Sequence, residues 1–187
     1  MIKKGTGCDE MLDKIISILR NILVAVFIAI IIEEFVFGFT VVQGESMAPT
    51  VKDRDKLFVN KICYLLHKPE IGDIVIFHPP IEERRKEYFI KRVIAMENDE
   101  FMIRDGKVFV NGNEIKENYI MNEQYIDRAF DMDQGKVPKG MVFVMGDNRN
   151  DSNDSRYFGF VPIKNIEGKA DLRLWPFDEV QAFTVDY

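Results

Sequence analysis

The sequence predicts a mostly β fold: an antiparallel β-sheet domain with a small inserted hairpin subdomain, preceded by one transmembrane helix. Three observations predict it. From Ile15 to Ile32 the chain is apolar, interrupted only by Ser17, Arg20 and Asn21. After residue 35 it changes to short alternating or wholly apolar runs bounded by turn formers, the pattern of strands. Asp105-Gly106 and Asn111-Gly112 follow one another closely, and each is a two-residue hairpin signal.

The apolar run comes first. At about 1.5 Å per helical residue it rises about 27 Å, enough to reach across a hydrocarbon core. Arg20 stands near its N-terminal end, where the stem can lie along lipid while the charge reaches the interface. Lys3, Lys4 and Lys14 precede the run, and Glu33 and Glu34 follow it. Basic residues before a first span favour the cytoplasm. The expected division is a cytoplasmic N-terminus over 1–14, an anchor over 15–34 and an extracytoplasmic domain over 35–187. A cleaved secretory signal shares the charges and the apolar run, but no small-x-small site follows here; bulky Glu33-Glu34-Phe35-Val36-Phe37 does. A helix buried in a soluble core is the other alternative, and Ile22–Ile32 has no polar face at all. In this topology Cys8 and Cys63 lie on opposite sides and cannot pair.

The strands follow in order. Phe37–Val42, Lys56–Val59, Asp73–Phe77 and Tyr88–Met96 are expected first, the third stopped by His78-Pro79-Pro80. Phe101–Arg104 and Lys107–Val110 form a hairpin through Asp105-Gly106. Asn118–Gly140 reads as polar and irregular, too long for a simple connection within one sheet. Met141–Met145 and Ala170–Trp175 resume the strands. Glu82–Lys86 is a charge run, expected as a solvated loop. Residues from about 97 to 140 are expected to form the inserted subdomain.

Composition removes several functions. Of 187 residues 47% are hydrophobic and 30% charged, which excludes a disordered chain and a multi-span membrane protein. A net charge of −6 argues against a nucleic acid partner. Two cysteines make no disulfide framework, and their spacing is not that of a zinc site. No Walker-type loop and no H-E-x-x-H occurs. No metal or organic cofactor is expected.

Three segments can carry chemistry. Gly44-Glu45-Ser46-Met47-Ala48-Pro49-Thr50 puts a serine between turn formers, a structural turn unless a base takes its proton. In Tyr88–Met96 strict alternation places Phe89, Lys91, Val93 and Ala95 on one face, so Lys91 is the lone charge among apolar neighbours. Arg92 falls on the other face with Tyr88, Ile90 and Ile94. A desolvated ammonium loses its proton more readily; the bland alternative is an edge lysine that snorkels to water and stays charged. Third, Gly146 to Arg156 is dense in hydrogen-bonding groups, which a plain solvated loop also explains.

Taken together, the three segments resemble type I signal peptidases, membrane-anchored Ser–Lys endopeptidases. The resemblance rests on four ordered boxes: Ser46-Met47-Ala48-Pro49-Thr50, Gly72-Asp73-Ile74-Val75-Ile76-Phe77, Phe89-Ile90-Lys91-Arg92-Val93-Ile94, and Gly146 to Arg156, which Phe158-Gly159-Phe160-Val161-Pro162 continues. It covers essentially the whole chain, and the compact length is similar to Gram-positive members. The resemblance implies that Ser46 is the nucleophile, neutral Lys91 the general base, and the Ser46 backbone N–H an oxyanion donor. It implies that Ser152 orients the lysine, and that Asp147, Asp154 and Arg156 support the geometry. Val42, Met47 and Phe89 are implied to lie near shallow pockets for small residues such as Ala, one and three positions before the cut. The implied partners are preproteins bearing signal peptides and the lipid bilayer, at the cell membrane. Some members carry a serine two positions before the nucleophile as a second oxyanion donor; Gly44 stands there, so that donor is missing. Three alternatives remain at this stage, one of them a His-dependent serine protease using His67 or His78. A self-cleaving regulatory protease of the same superfamily would need a DNA-binding domain ahead of Ser46. An anchored, non-enzymatic β domain that binds a partner would use Ser46 as a turn residue and Lys91 as an edge lysine.

Overall fold

A computed structural model of the chain describes residues 7–120 and 131–183. Lys3, Lys4, the side chain of Cys8 and part of the 118–140 stretch therefore lie outside the described residues. Helix α1 spans Gly7–Phe35 and starts ahead of the apolar run, because Cys8 to Lys14 contain no helix breaker. Its stretch Met11–Phe35 is long and apolar enough to cross a bilayer, and none of it is buried against the rest of the chain. At its C-terminus the carbonyls of Glu33 and Glu34 accept hydrogen bonds from Lys61 Nζ at 3.3 and 3.0 Å. A cation there satisfies orphan carbonyls and the negative end of the helix.

Two antiparallel sheets follow, as the sequence-based fold class anticipates. The larger contains β1 (Phe37–Val41), β2 (Lys56–Asn60), β3 (Ile74–Phe77), β4 (Phe89–Ala95), β9 (Met141–Met145), β10 (Val161–Pro162), β11 (Ile166–Trp175) and β12 (Gln181–Ala182). Its order is β1-β2-β11-β3-β4-β9-β10, with β12 also on β11. The smaller sheet, order β7-β6-β5-β8, comprises β5 (Glu100–Arg104), β6 (Lys107–Val110), β7 (Asn113–Glu114) and β8 (Met132–Lys136). Both of its tight turns have left-handed backbone, φ 52° and 75° at Asp105-Gly106 and 51° and 81° at Asn111-Gly112, which the right-handed twist of a hairpin demands.

Strand β8 lies inside the stretch expected to be irregular. Most of it is exposed and polar, so it carries no alternating apolar signal; backbone pairing with β5 holds it, and Gly135 sits where a Cβ would be 2.9 Å from the Phe101 ring. Strict alternation also fails in β4. A register shift against β9 between Val93 and Ala95 puts Ile94 and Ala95 into the same apolar cluster, although alternation assigned them to opposite faces. Upstream of that bulge Val93 packs with Val75, Phe77 and Val144, while Ile90 packs on Val42, Met47 and Ile74. Strand β4 is thus buried on both sides and central to the sheet.

Candidate active site

The turn carrying Ser46 is held from both ends. Val42 exchanges backbone hydrogen bonds with the Asp53–Asp55 region, accepting from the Arg54 N–H and donating to the Asp55 carbonyl, each 2.9 Å. Gly44, at φ 89°, donates its N–H to Asp53 Oδ1 at 2.8 Å, a backbone conformation that suits glycine. Beyond the serine, Met47, Ala48 and Val51 are buried, and the Val51 N–H bonds back to the Met47 carbonyl at 2.9 Å. Apolar burial on one side and fixed hydrogen bonds on the other leave Ser46 at the rim.

Lys91 meets it from β4. Its Nζ lies 2.7 Å from Ser46 Oγ and donates to the Ile90 carbonyl at 2.8 Å. The residue is 4% exposed. Burial disfavours the ammonium and brings its pKa down to about 8, against the opposing pull of the Asp154 and Asp147 carboxylates; Arg156 and Arg84 push it down as well. Both carboxylates are already taken by guanidinium groups. Arg156 binds Asp154 through Nε–Oδ1 and Nη2–Oδ2, both 2.8 Å, and Arg92 binds Asp147 at 2.9 and 2.6 Å while also donating to the Gly72 carbonyl at 2.9 Å.

The 146–156 loop is stitched to the serine turn. The Asn148 N–H donates to the Ser46 carbonyl and its side-chain amide to the Glu45 carbonyl, both at 3.1 Å. Asp154 receives the Gly146 N–H at 2.9 Å and caps helix α2 (Ser155–Phe158). Among the described residues Ser152, 8% exposed, has no hydrogen-bond partner for its hydroxyl; the lysine's second partner is the Ile90 carbonyl, not Ser152. A Cβ on Gly146 would overlap both Ser152 Oγ and the Ser46 carbonyl oxygen, so the two serines close on the same glycine.

A groove of about 540 Å³ runs past the pair, lined by Thr40–Gln43 on one side and Tyr88–Lys91 on the other. Both walls are open strand edges. Among the described residues β1 pairs only with β2, and β9 meets β4 only from Arg92 onward. Val42 and Phe89 line this groove, whereas Met47, 1% exposed, is swallowed by the core cluster beneath. The charge run expected as a solvated loop contributes to the lip: Arg84 stacks on Phe89, 4.6 Å from its centroid. Sequence reasoning gave no role to Arg92, Gly146 or Asn148. Only Arg92 left a trace, a second charge in an apolar strand that must find a buried anion. His78 is occupied elsewhere, its Nδ1 2.9 Å from the Glu87 carbonyl oxygen. Among the described residues no cluster of three or more His, Cys, Asp or Glu could hold a metal.

The family model described as signal peptidase, peptidase S26, matches residues 15–175. The chain belongs to that family. A probable signal peptidase I-2 from Synechocystis sp. is 39% identical over 170 residues, covering 89% of this chain and 76% of the relative. A signal peptidase I from Bacillus caldolyticus is 37% identical over 166 residues, 83% of this chain and 89% of the relative. A solved signal peptidase I from Enterococcus faecalis matches with TM-score 0.45 and 33% identity, over 56% of this chain and 97% of that one. As a member of the signal peptidase family the chain is a serine endopeptidase associated with a membrane. The non-enzymatic binding domain is not supported, since relatives over most of the chain are named as peptidases.

Proposed function

We propose that this chain cleaves N-terminal signal peptides from preproteins after small residues, in the Ala-x-Ala manner, with Ser46 as nucleophile and neutral Lys91 as general base. The observation that carries the reading is an almost fully buried amine 2.7 Å from a serine hydroxyl. With Nζ neutral, the hydroxyl donates to its lone pair, and the Ile90 carbonyl holds one N–H and so aims that lone pair. Attack of Oγ on the peptide carbonyl carbon transfers the hydroxyl proton to Nζ. The ammonium then protonates the leaving amine, and the acyl-enzyme is hydrolysed by water with the same base.

Oxyanion stabilisation falls to the Ser46 N–H, which has no protein acceptor among the described residues. Ser152 is proposed to turn its unpartnered hydroxyl to the lysine as the ammonium forms, while Asp147, Asp154 and Arg156 hold the loop. The two open edges suit strand addition, the substrate backbone pairing on both sides and small side chains entering beside Val42 and Phe89. The groove shares Thr40, Ile76 and Tyr88 with a second hollow of about 320 Å³ that reaches Ile30, Glu33 and Glu34 of α1. That continuity supports a precursor arriving from the bilayer beside the anchor. For the topology we propose residues 1–14 in the cytoplasm, 15–34 in the cell membrane and 35–187 outside, with 97–140 as the inserted subdomain.

The test uses full-length protein in detergent, a preprotein, and Ser46→Ala and Lys91→Ala variants. Both variants are expected to lose cleavage. Cleavage by Ser46→Ala at the parent rate would refute the reading.

A further inference from the structure

A buried carboxylate outside both strand edges touches the catalytic loop from the smaller sheet. Glu117 follows β7 and its side chain is 4% exposed. It receives Arg149 Nη1 at 2.9 Å and Nη2 at still closer range, and the Tyr119 hydroxyl at 3.0 Å. Arg149, 2% exposed, also donates from Nε to the Gly146 carbonyl at 3.0 Å. Two residues on, the Asn148 N–H grips the Ser46 carbonyl. Tyr119 also covers Arg92, whose Cζ is 3.9 Å from the ring centroid. The chain of contacts therefore runs Glu117, Arg149, Gly146, Asn148, Ser46.

We propose that Glu117 is a positioning residue for the nucleophile, acting from the segment that leaves the smaller sheet. A guanidinium stays buried only with a carboxylate opposite it. Without Glu117, Arg149 turns toward water and releases the Gly146 carbonyl, and the turn that pins Ser46 loses its register. Tenths of an ångström matter at this point: displacement of a reacting group by about 1 Å costs on the order of a hundredfold in rate. The effect belongs to kcat, because Glu117 does not line the groove where the peptide binds.

The inference rests on the Ser46–Lys91 reading, and one experiment separates the two. Full-length protein in detergent is assayed on a preprotein as the parent, Glu117→Gln, the double variant Glu117→Leu with Arg149→Met, and Ser46→Ala. Rates are expressed per folded molecule from thermal melts at the assay temperature. Glu117→Gln is expected to lose kcat roughly tenfold or more with KM within about twofold. The double variant removes the stranded charge, so its melting temperature returns toward the parent while kcat stays low. If the double variant regains parental kcat, or folded Glu117→Gln keeps it, Glu117 has no positioning role. If Glu117→Gln fails to fold, the double variant alone decides. Parental activity in Ser46→Ala would overturn the nucleophile assignment itself, a result distinguishable from either outcome at Glu117.

Discussion

Arg92 donates twice to Asp147, at 2.9 and 2.6 Å, while its neighbour in the same strand, Lys91, reaches no carboxylate at hydrogen-bond distance among the described residues. Both cations are buried. Arg92 is matched by a bidentate carboxylate, and Lys91 is left to relieve its burial by losing a proton. Adjacent positions on β4 thus hold a paired guanidinium and a lysine suited to act as a base, set apart by their intrinsic basicity and by what faces each.

Activity should rise with pH through about 8 and level off above it. Lys91 ionises near 8 because of its burial, and only the neutral amine accepts the Ser46 proton. At pH 7 roughly a tenth of molecules are competent, and at pH 9 roughly nine tenths. A kcat/KM profile with a preprotein checks this, and a flat line from pH 6 to pH 9 speaks against lysine as base.

Stability carries the opposite face of the same cost. The unfolded lysine ionises near its ordinary 10.5 and the folded one near 8, so unfolding takes up a proton between those values. Stability therefore increases with pH across this window, and the burden is fully present below about pH 8. It amounts to about 3 kcal/mol at most. Lys91→Met should be inactive yet more stable than the parent at pH 7, with the advantage fading by pH 10.5. Chemical denaturation at the two pH values measures it; an advantage that does not shrink with rising pH contradicts the account.

Asp147→Ala leaves the Arg92 guanidinium buried with only the Gly72 carbonyl as acceptor. A loss of about 3–5 kcal/mol is expected. Asp147 also holds the Lys91 pKa up, so the activity that survives should have its midpoint below about 8. A midpoint that stays at about 8 would show that Lys91 does not feel this carboxylate.

Gly146→Ala should fold less well and cut slowly. The new methyl would overlap Ser152 Oγ and the Ser46 carbonyl oxygen and lie 2.6 Å from Ser152 Cβ. Relief requires moving either the serine turn or the loop, so kcat is expected to fall at least about tenfold. Parental kcat in this variant would mean that the two serines do not need their present spacing.

Much of this was readable from periodicity and turn chemistry. The apolar run announced helix α1, apolar runs announced β1 to β6, β9 and the second half of β11, and Asp105-Gly106 and Asn111-Gly112 announced two hairpin turns whose left-handed angles the structure contains. Strand β8 was invisible because its pairing is carried by backbone amides, which leave no mark on side-chain pattern. The β4 bulge was invisible for a related reason: it is set by β9, a partner far along the chain. Lys91 stood out as a lone charge among apolar neighbours, whereas Ser46 sat in an ordinary turn and was singled out by the resemblance alone. Glu117, on a polar segment, did not stand out at all.

Local chemistry therefore specified an apolar helix long enough to cross a bilayer, a β domain and a short roster of reactive side chains, since propensity, alternation and turn type depend on near neighbours. Folding settled which of those side chains meet. The 45-residue separation of Lys91 from Ser46 closes to 2.7 Å only because β4 and the turn after β1 pack on one core. The amine is stripped of water by residues drawn from the whole sheet, and desolvation is a property of the assembled surroundings that no stretch of sequence carries alone.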